Sequence, residues 1–113
     1  MKLFTLLGIL FVTAFTPAPV AAQAIGSAWG PMKMSTDECL SRAEQLFKKF
    51  KLTRVEKIKA TVYGDRRSVQ IGLRCVPEHG LYYIFGGDKN RSDVEVLRLV
   101  DELKVAFQKA ADD

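Results

Sequence analysis

From Ser35 onward the apolar positions recur at helical spacing. Cys39, Ala43, Leu46 and Phe50, joined by Leu40 and Phe47, make one face, and Arg42, Gln45, Lys48 and Lys49 lie largely on the other. Ser35-Thr36-Asp37-Glu38 is a capping box: the serine hydroxyl can accept the N3 amide, and the glutamate can reach back to the cap amide. The period then changes to two. Ile58, Ala60 and Val62 alternate with Lys59, Thr61 and Tyr63, and Gly64-Asp65-Arg66-Arg67 has turn chemistry. Val69, Ile71, Leu73 and Cys75 alternate with Gln70, Gly72 and Arg74, the clearest strand pattern in the chain. After a second turn at Pro77-Glu78-His79-Gly80, Leu81 to Phe85 is continuously apolar and ends at Gly86-Gly87, so its two parities look alike. A second capping box, Ser92-Asp93-Val94-Glu95, opens the last helix. Its stripe is Val96, Val100, Leu103 and Phe107, widened by Leu97 and Leu99, and Ala110 to Asp113 is expected to fray.

Connections this short require antiparallel strand neighbours. The pattern therefore predicts an α+β domain over residues 35–113, ordered α-β-β-β-α. It is a two-layer sandwich in which a three-stranded antiparallel meander carries both helices on one face. Residues 25–34, with Gly26, Gly30 and Pro31, read as an extended lead-in. Trp29 in that segment is expected to pack back on the domain; the alternative is an exposed contact residue.

Residues 1–24 have a different character. Lys2 is followed by an uncharged, mostly apolar run from Leu3 to Phe15, then by Pro17 and Pro19, then by Ala22-Gln23-Ala24. A basic start, an apolar core too short to span a bilayer and a small-x-small end are the three regions of a signal peptide. Cleavage is expected after Ala24, with the protein periplasmic or secreted and no stable membrane insertion afterwards. The whole chain has 113 residues and a formal net charge of +4; only Lys2 leaves with the leader, so the mature domain stays mildly basic. That charge favours anionic partners weakly.

Both cysteines, Cys39 and Cys75, survive cleavage, and in an oxidising compartment an even count reads as a disulfide. Closing a loop of about 35 residues stabilises a chain by about 4 kcal/mol. C-x-x-C spacing, which would suggest redox work, is absent. One histidine and two cysteines exclude a His-based or four-cysteine zinc site. No cofactor, metal or catalytic residue is expected.

If Val69, Ile71, Leu73 and Cys75 point inward, the outward set includes Tyr63, Gln70, Gly72 and Arg74. The last strand adds either Tyr82 and Ile84 or the other parity, Leu81, Tyr83 and Phe85. The face taken as the candidate binding surface is Tyr63, Gln70, Gly72, Arg74, Tyr82 and Ile84, with a shallow dent over Gly72. It suits a flat ligand, a sugar or a protein, unless the lead-in and Trp29 fold across it. Export argues against nucleic acid as the partner. Arg66, Arg67, Lys89 and Arg91, in two turns, are candidate anion contacts. His79 lies in a turn with no nucleophile beside it.

The chain resembles a group of small exported bacterial α-β-β-β-α proteins of unknown function. The resemblance lies in the leader, in Asp37-Glu38-Cys39 opening a helix, and in Val62-Tyr63-Gly64-Asp65. Arg74-Cys75-Val76-Pro77 and Phe85-Gly86-Gly87 complete it. It implies a compartment and a fold, and transfers no catalytic residue. Together these readings point to a non-enzymatic binding or interaction module using the open sheet face or a strand edge. A protein or envelope component is the expected partner, and a homodimer is compatible with open edges. The alternative is a surface that binds anions or polyanions through its Arg and Lys turns.

Overall fold

The structure, a computed structural model, describes residues 24–90 and 93–112. Residues 1–23 of the leader, Arg91, the cap residue Ser92 and Asp113 lie outside the described residues, and β1 begins at Ala24, the last residue of the expected leader. The fold is α+β, with two helices and one five-stranded antiparallel sheet among the described residues. In chain order the elements are β1 (Ala24–Pro31), α1 (Thr36–Lys49), β2 (Thr53–Ile58), β3 (Thr61–Arg66), β4 (Val69–Val76), a 3-10 turn (Pro77–His79), β5 (Leu81–Asp88) and α2 (Asp93–Asp112). The strand order is β1-β5-β4-β3-β2.

Two strands beyond the expected three account for the difference. The lead-in is not a lead-in: residues 24–31 pair along their whole length with β5, from Ala24 opposite Asp88 to Pro31 opposite Leu81. The stretch predicted as one strand around residues 58–63 is a hairpin corner. Ile58 pairs with Thr61, and Lys59-Ala60 form a two-residue loop with Lys59 at φ 55°. The next loop is also displaced from the Gly64–Arg67 prediction. Arg66 pairs with Val69, so the loop is Arg67-Ser68, with Arg67 at φ 57°. Two-residue hairpin loops need positive φ, which normally draws Gly or Asn. Here Lys and Arg hold those positions, so the usual signal is missing.

One row of the sheet shows where the helices sit. Gly26, Gly86, Ile71 and Gly64 are register neighbours across β1, β5, β4 and β3. A Cβ on Gly26 would stand 2.8 Å from Val96 of α2, and one on Gly64 would stand 3.0 Å from Phe47 of α1. Both helices therefore cover the same face. Gly64 serves this close approach and not a turn. Between the layers Phe47, Val62, Leu73, Tyr82, Ile84, Leu103 and Phe107 are fully buried, each large enough that truncation to Ala costs about 2–5 kcal/mol.

The helix ends follow from local chemistry. Ser35 Oγ accepts the Glu38 amide at 3.2 Å, while the Glu38 carboxylate pairs with Arg42 at 3.1 Å instead of turning back to the cap. At the other end Lys51, at φ 61°, closes a Schellman motif: its amide donates to Lys48 O, and the Leu52 amide donates to Phe47 O at 3.0 Å. α2 does not fray at Ala110. It is helical through Asp112, and the Arg42 guanidinium donates to the Ala110 carbonyl, satisfying a C-terminal acceptor of one helix from the other.

The disulfide is present. Cys39, at the start of α1, bonds to Cys75, near the end of β4, with 6.2 Å between the Cα atoms. Both are buried, so the bridge runs inside, between the helix layer and the sheet.

Candidate functional site: the open face of the sheet

The face away from the helices is built in rows fixed by register. Trp29, Tyr83, Arg74, Thr61 and Ile58 form one row across all five strands. Ser27, Phe85, Gly72, Tyr63 and Glu56 form the next, and Ile25, Gly87, Gln70 and Asp65 a third. Exposure is high for apolar residues: Ile25 76%, Trp29 60%, Tyr63 39% and Tyr83 38%. The Tyr83 and Phe85 rings stack with centroids 5.7 Å apart, and Tyr63 meets Phe85 edge-on at 6.2 Å. Such pairs fix one another's orientation. Arg74 is exposed in register with Tyr83, so the aromatic rows carry a cation among them.

Tyr63, Gln70, Gly72 and Arg74 are brought together here. Tyr82 and Ile84 are not. Both are fully buried on the helix side, because Tyr82 pairs with Cys75 and Ile84 with Leu73, whose side chains face the core. The open face takes the other parity. Nothing in an all-apolar run specifies its phase; the register with β4 does. There is no dent over Gly72 either. The Phe85 ring lies on it, and a Cβ there would come within 2.6 Å of Phe85 Cζ. The actual hollow is a groove of about 430 Å³ near Gly87, walled by Ile25, Tyr63 and Phe85 and edged by Asp65, Gln70 and Lys89. Asp65 is paired there with Arg54. Thr61 shares the face but is buried.

Trp29 does not pack into the core, and the segment that carries it does not fold across the sheet. Pairing β1 at the edge widens the face instead. The signal for this was a period-2 alternation of size, not polarity: Ile25, Ser27 and Trp29 point outward, and Gly26, Ala28 and Gly30 lie under α2. Small residues let the helix approach, but they give no apolar stripe to read.

The basic candidates separate. Arg66 and Arg67 line a small cleft with Glu95 and Arg98, where Arg67 reaches Glu95 at 3.9 Å. Arg98 was not foreseen there. Lys89 lies beside the same loop, its amide donating to Ser68 O at 3.2 Å, and the residue also lines the Gly87 groove. Glu78 and His79 are exposed on the 3-10 turn.

Among the described residues no helix is long and apolar enough to cross a membrane, and no group of three or more His, Cys, Asp and Glu side chains could hold a metal ion. Fold and face define a class: an α+β protein whose antiparallel sheet is backed by helices on one side and presents aromatic rows on the other. Comparison with protein-family models, curated proteins and solved structures finds no match.

Proposed function

We propose that this is a small exported, disulfide-stapled binding module without catalytic activity, and that it engages a protein or envelope component through the open sheet face. The observation that carries the reading is the row of Trp29, Tyr83 and Arg74 beside the Phe85–Tyr63 pair. Exposed aromatic area with an embedded cation is the composition of interaction hot spots. Aromatic rings also lose little side-chain entropy when a partner covers them. Export is supported by the leader pattern of residues 1–24 and by the internal bridge.

The test is site-specific photocrosslinking in intact envelopes. A crosslinker at Tyr83 should yield a discrete adduct that one at Lys57 on β2 does not. The pair Tyr63→Ala with Arg74→Ala should abolish adduct formation by the crosslinker at Tyr83 while leaving the circular dichroism unchanged. Equal yields at both positions, or an adduct indifferent to the substitutions, would rule the face out.

A further inference from the structure

We propose that the outer edge of β1 is a seam for a second copy of this chain, paired antiparallel about a two-fold axis at Ser27. The sheet has two edges, and they differ. β2 is exposed, charged at Arg54, Glu56 and Lys57, and its register with β3 shifts between Thr53 and Glu56. Charges and bulges are what guard an edge against strand addition. β1 has neither. It carries no charged residue from Ala24 to Pro31, its register with β5 is unbroken over eight residues, and its outer side pairs with no strand among the described residues.

The occupant is argued from self-complementarity. Centring an antiparallel pair on Ser27 sets Ile25 opposite Trp29 of the partner copy, and Trp29 opposite its Ile25, on the open face. Ile25 and Trp29 are the two most exposed apolar side chains of that face. Aromatic against β-branched residue is a favourable cross-strand pair, and a two-fold axis forms it twice. The helix side fits as well. Along β1 runs a groove of about 770 Å³, bounded by Ser27, Trp29 and Pro31 of the strand and by Lys104, Gln108 and Asp112 of α2, whose one base and one acid offset each other. A strand entering beside an overhanging helix must be slim on that side and bring no charge to desolvate. The side chains of β1 meet both conditions, with Gly26, Ala28 and Gly30 facing the helix layer, and the α-ammonium that cleavage after Ala24 leaves on Ile25 sits at the very end of the strand. Leu97 of α2, 51% exposed and within 3.2 Å of where a Gly26 Cβ would be, lies close to the same strand. Such a dimer makes one ten-stranded sheet and carries the aromatic rows across the seam. The inference uses the strand's edge and stands apart from the open-face reading, since a monomer could still bind through its face.

The experiment is sedimentation equilibrium of the purified protein with Ser27→Lys and Ser27→Cys variants. The native chain should dimerise. Ser27→Lys sets like charges directly opposite one another at the axis and should weaken the dimer at least tenfold with an unchanged circular dichroism spectrum. Ser27→Cys should oxidise to a covalent dimer, and Lys57→Cys on the guarded edge should not; the native cysteines are already bonded to each other. A native protein that stays monomeric at high concentration would overturn the proposal. So would a dimer untouched by Ser27→Lys with no crosslink at position 27.

Discussion

Tyr82 shows how one side chain joins three elements. Its ring is fully buried and packs on Phe107 with centroids 4.6 Å apart. Its hydroxyl donates to Gln108 Oε1 at 2.7 Å, and Gln108 Nε2 donates onward to Pro31 O at 3.2 Å and Asp112 Oδ1 at 3.1 Å. β5, α2 and the end of β1 are thus tied through one amide. Gly30 leaves the room: a Cβ there would collide with Gln108 Oε1 and the Tyr82 hydroxyl. Burial, and then the Asp112 carboxylate, push the Tyr82 phenol from 10.0 up to about 12. The folded state therefore holds a proton that the unfolded chain releases earlier. Its contribution is complete below pH 10 and is lost as pH rises from 10 toward about 12. Denaturant midpoints measured across that window should fall for the native protein and fall less for Tyr82→Phe. At neutral pH Tyr82→Phe should cost about 1–2 kcal/mol, because Gln108 Oε1 loses its donor. A native midpoint that does not change through the window would contradict the assignment.

At the scale of elements the Cys39–Cys75 bridge is the tie that sets the layering, since it joins the first turn of α1 to β4 across 36 residues of chain. Replacing both cysteines by Ser should lower unfolding stability by about 4 kcal/mol, and reducing the native protein should do the same; urea titrations of the two should coincide. α1, β4 and α2 were legible because each carries a full period of apolar residues and all three dock on one core. The cysteine at each end of the tie then said which side of β4 is inside. β1 and the β2–β3 corner were not legible, for opposite reasons. β1 buries only small residues against α2, so its inner face is silent in hydropathy. The corner turns on Lys59 at positive φ, a position that chain pairing imposes on a residue that does not advertise it.

The whole molecule is asymmetric. Both helices lie on one side of the sheet, and every large aromatic on β1 and β3, with Tyr83 and Phe85 of β5, is left on the other. The outward residues of β3 and β4 could be read from alternation with Cys75. Those of β1 and β5 depended on pairings between strands far apart in sequence, and they supply most of the aromatic area. This has a direct optical consequence. The chain has one tryptophan, and Trp29 is 60% exposed on an edge strand. In dilute solution, where self-association is negligible, its emission maximum should hardly move on unfolding, and acrylamide should quench it in the folded protein nearly as well as in denaturant. Near-ultraviolet circular dichroism should collapse over the same transition, because the Tyr82–Phe107 and Tyr83–Phe85 pairs depend on tertiary packing. A strong red shift on unfolding would mean that Trp29 is covered in the folded monomer, and a covered Trp29 would remove the largest ring from the face on which the binding proposal rests. An emission that instead shifts blue as protein concentration rises, and stays put in Ser27→Lys, would trace the covering to the seam.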